Sequence, residues 1–211
     1  MKTKRATFII GVAGGSGSGK SWLANFLQRE LAGEVALISQ DWYYKDRSKV
    51  DPKKKAALNF DHPHAFDTAL LVRHLDALRS GRAVETPRYD YATHSRSRRS
   101  VPLAPAPVIV LEGIFVLHHA PVLRRLDHAI FVDVPADVRL MRRIRRDAAE
   151  RGLPAEETLR LYETFARPMH ERFIQLSAAR AHHVWRALDD PRFPKQLTAE
   201  LKQKLRDDPP N

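Results

Sequence analysis

The 211-residue chain contains no cysteine. Disulfides and thiolate metal sites are therefore excluded, and a reducing compartment, the cytoplasm, is the expected address. Nor is there an apolar run near the ~18 residues that a spanning helix needs. The start, "MKTKRATFIIGVAGG", has a basic head but an apolar run of only about six residues and no small-residue cleavage site, so no secretory leader is expected. Internal repeats and low-complexity blocks are missing too. What is present suits one folded domain over 1–211: 43% of residues are hydrophobic, enough for a sizeable core. Against 25 Asp and Glu stand 36 Lys and Arg, a formal charge of +11. Such an excess fits nucleic acid, a small polyanion such as a nucleoside triphosphate, or merely a solvated basic surface, and only position can choose among them.

Short apolar runs recur along the chain: "TFIIGVA" (7–13), "VALIS" (35–39), "VIVLE" (108–112), "AIFVDV" (129–134) and "HHVWRAL" (182–188). Each is bounded by Gly, Pro or charge, as buried strands of a parallel sheet are. Helical patterns fall between them at 20–32, 66–80, 136–151 and 156–179, with a further one near 196–206. In 66–80, Leu70, Leu71, His74, Leu75 and Leu78 share one stripe and Gly81 supplies a stop. The alternation predicts a three-layer α/β fold with right-handed crossovers. Two parts break the rhythm. Residues 82–104 read as a β-hairpin flap around a polar turn, and 190–211, with "DDPRFP" and a final "DDPPN", read as a peripheral tail.

Directly after the first strand comes "GGSGSGKS", Gly14, Gly15, Ser16, Gly17, Ser18, Gly19, Lys20 and Ser21, which matches G-x-x-x-x-G-K-[ST]. The glycines let the loop curl so that backbone N–H groups face phosphate oxygens, and the following helix adds its positive end. Lys20 reaches the β- and γ-phosphates, and the Ser21 hydroxyl ligates Mg²⁺. A flexible Gly/Ser linker is the plain alternative, but an apolar strand before and "SWLANFLQREL" after supply the strand–loop–helix context of a nucleotide cradle. Glu112 closes the strand "VIVLE" at the carboxyl edge, where α/β sheets bind ligands, and is the candidate second partner of the metal.

A cradle alone does not name a function. The chain has no N-K-x-D, the base-reading stretch of Ras-type switches. Transfer to a small acceptor needs a carboxylate at the acceptor hydroxyl, and Asp41, in "QDWYYKD" after the second strand, is the candidate; as an ordinary residue it would cap a turn. Transfer also needs cations over the γ-phosphate. In "DVRLMRRIRRDAAERG", Arg139, Arg142, Arg143 and Arg146 fall on one helical stripe. Like charges at that spacing repel by about 0.2–0.5 kcal/mol per pair, so the stripe is either a solvated face or awaits an anion. The stretch "NFDHPHAFD" (59–67) admits a metal site, a turn or a polar pocket.

Five stretches together resemble the uridine/cytidine kinase family of P-loop nucleoside kinases: "GVAGGSGSGKS", "ISQDWYYKD", "NFDHPHAFD", "PRYDYATHSR" and "FVDVPADVRLMRRIRRDAAERG". The resemblance runs from about residue 8 to about residue 173, and "NFDHP" with "YDYATHSR" is far more specific than the phosphate loop. It implies a P-loop NTPase fold with a β-hairpin flap and an Arg-rich helical lid over 136–160. It implies further that Asp61 grips the ribose 2′- and 3′-hydroxyls, for which a carboxylate with two acceptor oxygens is suited. Phe60 then packs against the base, Tyr89 and His94 line its edge, Tyr91 covers its face and Ile114 forms pocket wall. Asp41 becomes the catalytic base, Glu112 a Mg²⁺ partner, and Arg143, Arg146 and Arg151 the lid cations over phosphate and substrate. His62 and His64 are left as turn residues.

The chain departs from the family pattern at Leu153, where an arginine is usual, at Leu161, where a glutamine precedes the tyrosine, and in "AHHVWRALDDPRFP", which replaces the adenine-side segment. The expected activity is transfer of the γ-phosphate of ATP or GTP, with Mg²⁺, to the 5′-hydroxyl of a pyrimidine ribonucleoside. A kinase of the same branch with another acceptor, and a nucleotide-binding regulator without catalysis, are the alternatives. A homo-oligomer is implied by the resemblance; neither nucleic acid nor membrane is expected as a partner.

Overall fold

The computed structural model describes residues 7–31, 35–51, 58–91 and 93–207. In chain order these form β1 (Phe8–Gly14), α1 (Lys20–Glu30), β2 (Val35–Ser39), α2 (Thr68–Arg79), β3 (Val84–Thr86), β4 (Tyr89–Asp90), β5 (Ser95–Arg96), β6 (Val101–Leu103), β7 (Val108–Glu112), α3 (Ala120–Leu123), β8 (His128–Asp133), α4 (Ala136–Arg151), α5 (Ala155–Leu161), β9 (His183–Arg186) and α6 (Phe193–Asp207). Five strands make one parallel sheet in the order β2-β7-β1-β8-β9. β1, β2, β7 and β8 are apolar at nearly every position because both faces are covered, while the edge strand β9 buries Trp185 and leaves its other residues exposed. Ile9, Ala13, Ile38, Ile109, Leu111 and Phe131 meet Leu71, Leu75 and Leu78 of α2 on one face. Ile10, Val12, Val108, Val110, Ile130 and Val132 meet Leu23, Ala24 and Leu27 of α1 on the other. This is the expected three-layer α/β fold.

The register sets up one working edge. Val12 and Ser39 both stand opposite Glu112, and Gly14 stands opposite Val132, so the carboxyl ends of β1, β2, β7 and β8 are level. Every loop that leaves this edge points its first residues at the same region of space.

The hairpin region 82–104 contains two antiparallel ladders, β3 with β6 and β4 with β5. Arg96 ties it to the body, with Nε donating to the Tyr44 carbonyl at 2.8 Å and Nη2 to Asp67 Oδ2 at 3.2 Å. Asp67 also caps α2, accepting from the Leu70 N–H at 3.0 Å, and Gly81 leaves that helix at φ 78°.

Two expectations change. The helical pattern at 156–179 is not one regular helix: beyond α5 the chain winds through π turns at Tyr162–Ala166 and His170–Ile174. Pro168 lies between them and has no N–H to give the carbonyl four residues back, which opens the helix. The stretch 190–211 is not peripheral as far as it is described, because Phe193, Leu197 and Leu201 of α6 are buried with Trp185 against α1. Burying three large apolar side chains outweighs the polar look of the flanking "DDPRFP". The final "DPPN" lies outside the described residues.

Candidate active site

The phosphate loop is built around backbone that only glycine adopts freely. Gly17 has φ 81°, and a Cβ on it would sit 2.4 Å from the Arg139 carbonyl oxygen of α4. Gly19, at φ 97°, is the N-cap of α1 and offers no side-chain cap. The first N–H groups of α1 are thus left for an outside acceptor, and the helix dipole favours an anion there. Lys20 is buried in the first turn of α1. Gly14, Gly15, Ser16 and Ser18 complete the curl, closed by the Ser18 N–H donating to the Gly15 carbonyl at 3.1 Å.

Beside this loop stands Glu112. Ser21 Oγ donates to its Oε2 at 3.0 Å and Ser39 Oγ to its Oε1 at 2.5 Å. Burial pushes its carboxyl above the usual range, with Lys20 opposing and the Asp41 charge adding to the rise. A hydroxyl and a carboxylate of this kind are hard oxygen donors suited to Mg²⁺, which keeps most of its shell as phosphate oxygen and water. Among the described residues no three His, Cys, Asp or Glu are grouped to hold a metal by themselves.

Asp41 lies in the first turn of the 3₁₀ helix Gln40–Tyr43, immediately past β2. Its Oδ2 accepts from the Tyr91 phenol at 2.8 Å. Gln40 before it is fully buried, and its Oε1 accepts from the Phe115 N–H at 2.9 Å, joining the ends of β2 and β7.

Across the cleft, burial raises the Asp61 carboxyl above its usual range, opposed first by Arg143, whose Nη1 lies 3.6 Å from Oδ1. Phe60 stacks on His94 with ring centroids 4.3 Å apart and planes 13° from parallel. His94 takes a left-handed backbone, φ 50°, a region uncommon outside glycine in which His is among the enriched residues. Tyr44 joins the rings of Phe60, Tyr89 and Tyr91, and buried Ile114 stands behind. His62 and Asp67 serve the local turn: His62 Nδ1 accepts from the His64 N–H at 3.1 Å.

Three arginines of α4 converge on Asp147 of their own helix, which is only 1% exposed. Arg146 donates to Oδ1 at 2.8 Å, Arg143 Nε lies 3.4 Å from Oδ2, and Arg151 Nη1 lies 3.5 Å from Oδ1. Arg146 also reaches Ser16 Oγ at 3.4 Å, and Arg142 the Gly17 carbonyl at 3.3 Å. Arg139 is turned inward, donating to the Val134 carbonyl at 3.0 Å, and burial lowers its pKa.

One cleft of about 1170 Å³ gathers Ser16, Lys20, Ser21, Asp41, Asp61, Glu112, Ile114, Arg143, Arg146 and Arg151 with the rings of Phe60, Tyr89, Tyr91 and His94. Of the phosphate loop, Ser16, Lys20 and Ser21 line this cleft, whereas Gly14, Gly15, Gly17, Ser18 and Gly19 are not among its lining residues. Leu153 and Leu161 line the same cleft, beside Glu157 and Arg160. Four contributors carried little signal in the sequence. Ser39 and Gln40 precede Asp41 and could have been read as a polar strand end; Tyr44 and Asp147 look like surface residues until the fold surrounds them.

Residues 9–193 match the family described as phosphoribulokinase / uridine kinase. A uridine kinase of Staphylococcus epidermidis is 46% identical over 170 residues, 80% of this chain and 82% of that protein. A uridine kinase of Staphylococcus aureus is 45% identical over 172 residues, 81% and 83% of the two chains. In shape the chain is similar to a fructose transport system kinase, so described provisionally, from Silicibacter (TM-score 0.70, 21% identity, 88% and 93% of the two chains). It is similar also to a possible uridine kinase from Bacillus stearothermophilus (TM-score 0.55, 22% identity, 88% and 91%). At such identities the two structures speak for the fold alone. The sequence match over most of the chain, carried by a P-loop kinase fold, makes this protein a member of the phosphoribulokinase / uridine kinase family.

Proposed function

We propose that the chain transfers the γ-phosphoryl group of ATP or GTP to the 5′-hydroxyl of uridine or cytidine, giving the monophosphate in pyrimidine salvage. The observation that carries this reading is the sharing of one cleft by the phosphate loop, Asp41 and Asp61. The two relatives of 45–46% identity that are described as uridine kinases support it. In this mechanism the loop N–H groups and Lys20 hold the triphosphate. Ser21 and Glu112 would hold Mg²⁺, which would supply positive charge to the phosphate oxygens. Asp61 accepts from the ribose hydroxyls, Phe60, His94 and Tyr89 enclose the base, and Asp41 orients the 5′-oxygen. Phosphoryl transfer is loose, so Asp41 takes the proton late while the new P–O bond forms and ADP leaves. Arg143, Arg146 and Arg151 close over the phosphates and exclude water. The substrates are the partners in this reading, which needs neither nucleic acid nor membrane; we place it in the cytoplasm, as a homo-oligomer.

A second reading, another acceptor hydroxyl on a related nucleoside, sugar phosphate or vitamin, is favoured by Leu153 and Leu161 on the cleft wall. Apolar groups there forgo hydrogen bonds by which a site tells one acceptor from another. The deciding experiment is ADP formation from Mg-ATP with uridine, cytidine, adenosine, guanosine or nicotinamide riboside. Turnover with uridine or cytidine supports the first reading. Its absence with every nucleoside, from protein that still binds ATP, moves the search to other hydroxyls.

A further inference from the structure

A carboxylate that is to receive the proton of an acceptor alcohol must hold that O–H within hydrogen-bond reach. In this structure Asp41 already holds one. The Tyr91 phenol donates to its Oδ2 at 2.8 Å, from the flap, fifty positions along the chain. The ring is set for this contact from three sides. Tyr89 and Tyr44 meet it edge-on, with centroids 5.4 and 6.3 Å away, and the Arg151 guanidinium lies 4.5 Å from its centroid. Arg151 is in turn held by Asp147 of the lid. Tyr91 keeps 37% of its surface exposed, but the loss of water around its phenol and the nearby Asp41 charge both push the proton towards staying bound, so the phenol remains the donor.

We infer that Tyr91 is a positioning residue that occupies the acceptor's place at Asp41 until the acceptor hydroxyl displaces it. This rests on the reading of Asp41 as the base of a phosphoryl transfer. Its consequence concerns a wasteful side reaction. Water bound at Asp41 can attack the γ-phosphorus; a P–O bond forms to the water oxygen, the bond to the bridging oxygen of ADP breaks, and Asp41 takes the water proton. With the phenol on Oδ2 that water is denied this oxygen of the base. The flap thus guards the site in the absence of acceptor, and Arg151 links the guard to the lid.

The test is ATP hydrolysis without any acceptor, which is read independently of which nucleoside the enzyme uses. Tyr91→Phe removes one oxygen and keeps the ring. Hydrolysis should rise at least about fivefold over wild type, a modest part of the 10²–10⁴ that a positioned base can supply, and should return to the wild-type rate in Tyr91→Phe/Asp41→Asn. An unchanged rate in a folded Tyr91→Phe protein overturns the inference. So does a rise that survives in the double variant, since the water would then not be using Asp41. Tyr91→Leu, which also lacks the phenol, takes the place of Tyr91→Phe if thermal unfolding shows the latter misfolded. A nucleoside panel without turnover would count against the proposed acceptor while leaving this readout intact.

Discussion

Asp41 and Asp61 are one residue type in two environments, and their burdens differ. Asp41 sits at a strand end with a phenol as donor, whereas Asp61 is raised by burial faster than Arg143 can lower it. Asp41→Asn keeps the shape and removes the proton acceptor, so nucleoside-dependent ADP formation should fall by about 10²–10⁴. The Mg-ATP dissociation constant from isothermal titration should stay nearly unchanged, and its loss would refute the assignment. For Asp61 the sign of the pH effect follows from the direction of the shift. A carboxyl raised in the folded state binds its proton more readily than the unfolded chain does. Its contribution to stability is therefore present at low pH and is lost as pH rises through the native value. Gripping two ribose hydroxyls requires the opposite, ionised form. Acceptor affinity should then drop on acidification, by up to about tenfold per pH unit below the native value. Titration of acceptor binding with pH should show this limb in wild type and not in Asp61→Asn. Asp61 was legible in the sequence through the resemblance of "NFDHP"; its tension with burial was not, because burial comes from the lid helix and the flap.

At the scale of the element, α4 illustrates what a helical stripe can and cannot say. The sequence placed four arginines on one side, and their mutual repulsion pointed to an anion. The structure brings part of that anion from the helix itself: Asp147 is reached by Arg143 and Arg151 at i,i+4 spacing and by Arg146 beside it. It also brings the phosphate loop, whose Gly17 backbone abuts Arg139. Asp147→Asn leaves three guanidiniums with no carboxylate at their centre, and the Arg143 side chain is only 8% exposed. A loss of about 3 kcal/mol is expected, at the lower end for a broken buried pair because Arg146 and Arg151 are partly solvated. Thermal or urea unfolding measures it, and kcat/KM should fall by about 10²-fold as the lid cations lose their aim. A fall in stability without a fall in kcat/KM would make Asp147 structural only. The flap carried its own signal in the turn-rich 82–104. Its anchor, Arg96 on Asp67 and the Tyr44 carbonyl, joins three segments remote in sequence, and no local pattern encodes that.

For the molecule as a whole, the sheet is buried from both sides, and the second side is shared by α1, which carries the phosphate loop, and α6. The burial of the tail region is weakly signalled in the sequence because its apolar residues are few and its flanks are acidic and proline-rich. Phe193, Leu197 and Leu201 recur at the four-residue spacing of one helix face, a pattern that is short but sufficient once α1 is there to receive it. Leu197→Ala should cost about 2–5 kcal/mol, as core truncations do, measured by denaturant unfolding. A cost below about 0.5 kcal/mol would return the helix to the periphery. Weaker ATP binding in the same variant would show that α6 steadies the cradle.

By itself the sequence determined the layers and the cradle and put Asp41 just past a strand end; Asp61 stood out only through the resemblance of "NFDHP". Apolar runs of strand length, a glycine-rich loop between strand and helix, and a carboxylate just past a strand end are local patterns, and local sterics and patterning decide them. Tertiary structure alone decided which groups share a cleft and in what state: Ser39 and Ser21 on Glu112, the phenol of Tyr91 on Asp41, Arg143 between Asp61 and Asp147, and Leu153 and Leu161 on the wall. Those contacts join residues tens of positions apart, and their strength depends on water being excluded. Exclusion of water is a property of the packed molecule, not of any one of its segments.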